Sequence, residues 1–172
     1  MEYLKLNPAG RIPTLIDGLL VLFESPAICI HLCEQNPSKK LIPPVGSTDR
    51  AKFFQWLTFL NNTLQAELMI YYYPHKHTTD ESCIPSIIKA QEERIGEALL
   101  IIDNHLYEKN FLLGHDISTC DFFLFMLAEW SLKIGKSPLS FPNLGSYLRK
   151  LANQPTISEV CKKENISLKP FE

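Results

Sequence analysis

The chain has 172 residues, 45% of them hydrophobic, enough apolar material for one domain or two small ones with a buried core. Its 17 basic and 19 acidic residues leave a formal net charge of -2. That balance excludes the broad basic field that captures nucleic acid or an anionic membrane, and leaves small neutral or zwitterionic ligands open. The opening MEYLKLNPAGR lacks the basic flank and apolar core of a signal peptide, and no apolar run reaches the length of a membrane span. Five cysteines, at 29, 33, 83, 120 and 161, are odd in number, scattered and without a CxxC pair. They read as reduced thiols of a cytoplasmic protein rather than as a disulfide framework. Cys29 and Cys33 share a helix face with no histidine at ligand spacing, so they read as small core hydrophobes and no metal is expected.

In chain order, IPTLI (12–16) and LLVLF (19–23) predict two antiparallel strands joined by a two-residue turn at Asp17-Gly18. Helical spacing starts at Ser25, with Ala27, Ile28, Ile30, His31 and Leu32, and stops at Asn36-Pro37. The proline-rich stretch that follows, ending at Gly46, marks a domain boundary. Beyond it no strand pattern appears. Ser47-Thr48-Asp49 caps a long helix with an apolar stripe of Phe53, Leu57, Leu60, Leu64, Leu68 and Tyr71, which ends at Pro74. A second long helix carries Ile84, Ile87, Ile88, Gln91, Ile95, Leu99, Ile102 and Leu106, and pairs with the first. Ser118 and Asp121 have the spacing of a capping box that opens a third helix, with Ile117 and Phe122 placed for a hydrophobic staple. Pro142 and Pro155 suit the first turns of two shorter helices.

The candidate site lies in GRIPTLIDGLLVLFESPAI, Gly10 to Ile28. Pro13 cannot donate to a ladder, so it belongs at a strand's start or where backbone is reserved for another partner. A cis Ile12-Pro13 bond would turn the N–H and C=O of Ile12 outward, where an extended peptide could pair with them. Ser25 as a helix cap and Pro26 as a first helical residue would leave the first-turn N–H groups aimed at a carboxylate. Glu24 beside them could accept from an ammonium group. Singly, these residues are accounted for as a turn former, a cap and a solvated acid. Together they describe a cradle for the end of a small peptide.

The run LNPAGRIPTLIDG followed by LFESPAI resembles the Asn-Pro-x-Gly-x-Val/Ile-Pro-x-Leu and Glu-Ser-x-Ala-Ile signatures of the glutathione transferase family. Gly114 with SerThrCysAsp at 118–121 resembles that family's capping element, and Trp56-Leu57 and Phe123-Leu124-Phe125 are similar to its bacterial, beta-like members. The resemblance implies an α+β fold. A truncated thioredoxin-like domain (β-hairpin plus helix) would occupy residues 1–37 and bind glutathione, a linker 38–46, and an all-helical domain 47–172. It further implies that glutathione is the co-substrate, that the main chain of Ile12, before a cis Pro13, holds the cysteinyl unit, and that Glu24 and Ser25 hold the γ-glutamyl end. Ser118 and Asp121 carry over as structural residues. The second substrate would be a small electrophile and the assembly a homodimer, with neither nucleic acid nor membrane as partner.

Members of the family carry a strand, a helix and a strand, roughly forty residues at ordinary element lengths, before the segment that opens here at Met1. That segment supplies the Tyr, Ser or Cys that engages the glutathione sulfur. Neither Tyr3 nor Tyr71 to Tyr73 matches it, so no catalytic residue is assigned and little turnover is expected of the chain as given. Gln65 stands where the similar bacterial members often have a histidine; it can orient the sulfur side of a ligand but cannot act as a base. Leu64, Leu68, Tyr72 and Trp130 could wall the electrophile, though their spacing fits core better. With its inner neighbour missing, the 12–16 strand would expose backbone flanked by Ile12, Leu15 and Leu20 to Leu22, so a sticky chain that is poorly soluble or relies on dimer contacts is expected. Three readings stand: a longer transferase of which Met1 is an internal residue, a short binding or scaffold form, and, more weakly, a transferase-like module of a translation complex. The electrophile, and the choice among detoxification, disulfide reduction and ligand carriage, are left open.

Overall fold

Residues 2–172 are described by a computed structural model. A one-turn helix α1 (Tyr3–Leu6) leads through a loop to an antiparallel hairpin, β1 (Thr14–Asp17) and β2 (Leu20–Phe23), with Thr14 opposite Phe23 and Asp17 opposite Leu20. Strand β1 starts only after Pro13, where a ladder donor first becomes available. The turn is Gly18-Leu19, one residue later than the expected Asp17-Gly18. Gly18, at φ 60°, supplies the positive dihedral that a II′ turn asks of its first central residue. Asp17 is thereby kept in the strand, where its carboxylate lies 2.8 Å from His31 Nε2, and Leu19 is left fully exposed at the tip.

Helix α2 (Ser25–Gln35) packs on both strands. The stretch after it is fastened rather than loose. Thr119 N–H donates to the Leu41 carbonyl at 3.0 Å, and Arg50 donates to the Pro43 carbonyl at 2.8 Å while pairing with Glu34 of α2. The small unit is thus tied to the helical one through its connection.

Helices α3 (Thr48–Phe59) and α4 (Ala66–Tyr72) form the long helix expected from the stripe, capped by Ser47, whose hydroxyl accepts from Arg50 N–H at 3.2 Å. A π-helical stretch, Leu60–Gln65, interrupts them. Phe53, Leu57, Leu60, Leu64 and Leu68 are buried, whereas Tyr71 is half-buried at the end of the stripe. Helix α5 (Ile84–His105) packs against α4, and Arg94 Nε donates to Glu67 Oε1 across the pair at 2.9 Å. Ile95, Leu99 and Ile102 are buried, as is the polar Gln91 in the same stripe.

Helix α6 (Thr119–Ser131) opens on the expected box: the Asp121 carboxylate accepts from Ser118 N–H at 2.7 Å and from the Ser118 hydroxyl at 2.9 Å. Its other oxygen accepts from Leu112 N–H at 2.8 Å and from the Tyr147 hydroxyl. Helices α7 (Pro142–Ala152) and α8 (Pro155–Lys163) complete the chain. The start of α7 is capped from α5, by an Asp103 carboxylate that accepts from the backbone N–H groups of Asn143 at 2.8 Å and Leu144 at 2.7 Å. Gly145 is required there, because a Cβ would sit 2.6 Å from the Leu139 carbonyl oxygen. Leu124 and Leu127 of α6 and Leu144, Leu148 and Leu151 of α7 belong to one core with the α3–α5 stripe. Of the cysteines, 33, 120 and 161 are buried, 29 is half-buried and 83 is exposed, all as free thiols.

Candidate functional site

The sequence-predicted residues Ile12, Pro13, Glu24, Ser25 and Gln65 line one open cleft of about 380 Å³ between the small unit and the long helix. Asn7 and Arg11 complete its small-unit side, and Asn61, Asn62, Ala66 and Met69 its helical side. The volume is that of a small-molecule site.

The Ile12-Pro13 bond is cis. Ile12 precedes the strand, and among the described residues nothing engages its backbone N–H. Its side chain is 87% exposed. An extended ligand backbone can therefore reach the main chain of Ile12 without displacing an existing bond.

Opposite the loop, Glu24 leaves β2 at φ 75°, ψ 112°, a conformation costly for a residue with a Cβ, about 1–3 kcal/mol. This corrects the expected cap. With that turn made, the Glu24 carbonyl already accepts from Ile28 N–H at 3.1 Å, so Glu24 is the N-cap, Ser25 the first helical residue and Pro26 the second. Among the described residues no side chain caps the helix. The Ser25 hydroxyl and the first-turn N–H groups of Ser25 and Ala27 stay open to an acceptor. Backbone strain here coincides with ligand-accessible polar groups, as it commonly does at binding sites.

The helical wall comes from the π-stretch. Within it Leu60 and Leu64 lie in the core while Asn61, Asn62 and Gln65 line the cleft. Asn61 Nδ2 donates to Asn62 Oδ1 at 2.7 Å. Gln65 Oε1 is buried and has no partner among the described residues. Sequence periodicity alone did not find this wall; the polar run NNTLQ between apolar turns was its only trace.

The apolar wall expected of Leu64, Leu68, Tyr72 and Trp130 is not the wall of this cleft. Leu64 and Leu68 are core. The Tyr72 hydroxyl donates to the Trp130 carbonyl, and both rings are partly exposed outside the cleft lining. Tyr3 is likewise outside it, with its hydroxyl bonded to the Arg11 carbonyl and Thr14. Among the described residues no cluster of three His, Cys, Asp or Glu side chains could hold a metal. The cleft offers charge, hydrogen-bond donors and acceptors, and a free backbone edge; among the described residues no histidine, cysteine or tyrosine lines it.

Two family models match: "Glutathione S-transferase, C-terminal domain" over residues 62–155 and "Glutathione S-transferase, N-terminal domain" over 1–34. Glutathione S-transferase GstA of Escherichia coli O157:H7 is 25% identical over 167 residues, covering 96% of this chain and 79% of the relative. Elongation factor 1-gamma of Prunus avium is 28% identical over 164 residues, 92% of this chain but 38% of the relative. Among solved structures, a sphingomonad glutathione S-transferase complexed with glutathione superposes with a TM-score of 0.84 at 27% identity, over 97% of this chain and 80% of that one. A ternary complex of BphK, a bacterial transferase, also gives 0.84, at 25% identity over 96% and 80%.

Proposed function

Because the chain belongs to the glutathione S-transferase family, we propose that its cleft binds glutathione as co-substrate and presents the sulfur to a small electrophile. The observation that carries this reading is the convergence of the free Ile12 backbone, the Glu24-Ser25 helix start and Gln65 on one cavity. The cysteinyl unit of glutathione pairs with the main chain of Ile12 before Pro13. The γ-glutamyl ammonium donates to the Glu24 carboxylate, and the neighbouring carboxylate accepts from the Ser25 hydroxyl and first-turn N–H groups. Arg11, which forms no ion pair among the described residues, is the cation available to the glycyl carboxylate.

Conjugation requires the thiol to lose its proton and the resulting thiolate to attack carbon, displacing a leaving group or adding to an activated double bond. Hydrogen-bond donors near the sulfur favour the thiolate. Gln65 can donate through its amide but cannot take the proton. With amides rather than a phenol, thiol or imidazole along the lining, the chain as given turns over slowly. The working unit is a homodimer in a reducing compartment, in keeping with five free thiols. Among the described residues no helix is long and apolar enough to cross a membrane.

Titration calorimetry with reduced glutathione tests the binding reading, with saturable one-site binding expected and no heat of binding overturning it. Conjugation of an activated aromatic halide tests the rate. Robust turnover would remove the argument about Gln65, and binding without detectable turnover would favour a carrier or scaffold role.

A further inference from the structure

The carbonyl of Arg11 is held from two sides. The Tyr3 hydroxyl donates to it at 2.5 Å and the Asn7 side-chain amide at 2.6 Å. A phenol has one proton, so the 2.7 Å contact between Tyr3 and Thr14 runs the other way, with the Thr14 hydroxyl donating to the phenol oxygen. Tyr3 therefore spans the residue before and the residue after Ile12-Pro13. Asn7 is itself fixed: it is buried, and its Oδ1 accepts from Ala9 N–H at 3.0 Å. The loop can double back so far because Gly10 takes φ 64° where a Cβ would press on Leu4 of α1 at 3.1 Å.

The Arg11-Ile12 peptide is trans, so its C=O and N–H point to opposite sides of one rigid plane. Two donors on the oxygen use both of its lone pairs and fix that plane. The Ile12 N–H is then aimed away from Tyr3 and Asn7. A single bond would leave the plane free to rock; two bonds from separate points do not.

We infer that Tyr3 and Asn7 are positioning residues for peptide recognition, aiming the Ile12 N–H at the ligand backbone through their joint hold on the Arg11 carbonyl. This rests on the glutathione reading of the cleft for its ligand, but not for its geometry. Tyr3 lies outside the cleft lining. The effect of the pair is on ligand affinity, with the chemical step left alone.

The test uses the full chain labelled with ¹⁵N. Tyr3→Phe keeps the ring and removes both hydroxyl bonds. Asn7→Asp keeps the acceptor for Ala9 N–H and removes the donor to Arg11. In the ligand-free double variant the Ile12 amide resonance is expected to shift and broaden while those of Ile95 and Ile102 in α5 hold still. The Kd for glutathione should rise about tenfold, the loss expected when a recognition edge is no longer held ready, and in the single Tyr3→Phe variant, whose side chain lies outside the cleft lining, kcat of any residual turnover should be unchanged. An Ile12 amide that stays sharp and unmoved in the ligand-free double variant overturns the inference. A wild-type chain that ignores glutathione, while the substitutions still displace the Ile12 amide, overturns the ligand reading and supports the positioning one. Should the double variant unfold, the α5 resonances collapse with it, and the single Tyr3→Phe variant decides by the same Ile12 readout.

Discussion

Arg11 and Glu24 line one cleft without pairing to each other or to any other described residue. Opposite charges held apart in this way suit a ligand that carries an ammonium at one end and a carboxylate at the other. Replacing Glu24 by Gln keeps the shape and removes the charge. The loss expected of a charged hydrogen bond, about 1.5–3 kcal/mol, is roughly a ten- to hundredfold weaker Kd for glutathione. Glu24→Ala should abolish retention on immobilised glutathione, and unchanged retention would sink the assignment of the γ-glutamyl end.

How far the sequence already contained this arrangement varies from residue to residue. Pro13, Ser118 and Asp121 are legible because each constrains backbone chemistry locally: a missing donor, a cap, a reciprocal acceptor. The Gly18-Leu19 turn and the Glu24 cap were each misplaced by one residue. In both cases a positive φ decided the outcome, at Gly18 through the glycine itself and at Glu24 in spite of a side chain. The π-stretch from Leu60 to Gln65 was not legible, because an apolar stripe that continues through Leu60, Leu64 and Leu68 fits an unbroken helix equally well. Tyr3 was invisible as a clamp for a similar reason: its partner is a main-chain carbonyl, and no residue type announces that.

Asp121 is fully buried and accepts from Ser118, Leu112 and Tyr147. Burial first, then the Asp121 charge, pushes the Tyr147 hydroxyl well above its ordinary value, so it remains a donor at any physiological pH. Asp121→Ala strands several buried donors at once, each costing about 1–3 kcal/mol and not additively. A fall of about 3 kcal/mol or more in unfolding free energy by urea titration is expected. Asp121→Asn should recover part of it, since one amide oxygen still accepts. A stability change below about 1 kcal/mol in the alanine variant would show that the network is not what holds α6 to α7.

Thiol chemistry should distinguish Cys83 from the rest. Cys83 is exposed, whereas burial raises Cys29 to about 11 and Cys120 to about 12 and also raises Cys161. Thiolate is the reactive species, so at pH 8 a disulfide reagent should label one cysteine quickly in the native chain and all five in denaturant. Removal of the fast phase by Cys83→Ser completes the test. Two or more fast thiols would contradict the burial of Cys33, Cys120 and Cys161 and the partial burial of Cys29.

The hairpin carries Ile16, Leu19, Leu20, Val21 and Phe23 at the surface, and the outer edge of β1 has no strand beside it among the described residues. Apolar side chains beside an open ladder favour association. Sedimentation velocity is expected to show dimers or larger species, reduced by Ile16→Lys. A monodisperse monomer with one cooperative melting transition would overturn this expectation.

His105 is expected to make stability depend on pH. Its ring packs on Trp56 with centroids 4.2 Å apart, and its Nε2 lies 2.8 Å from the Leu112 carbonyl. Burial is the largest cause that lowers its pKa below the ordinary 6.5, with Lys109 and Lys52 adding to it and the Leu112 carbonyl opposing. Between the folded and unfolded values the unfolded chain binds more protons, so stability rises with pH across that interval. The contribution is fully present above about 6.5 and is lost as pH falls through the lowered folded value. The urea midpoint should therefore drop between pH 7 and pH 5, before most carboxylates titrate. His105→Gln, which keeps a hydrogen-bond donor for Leu112 but cannot titrate, should flatten that slope. An equally steep slope in the variant would assign the pH dependence to another group and leave His105 as a packing residue alone.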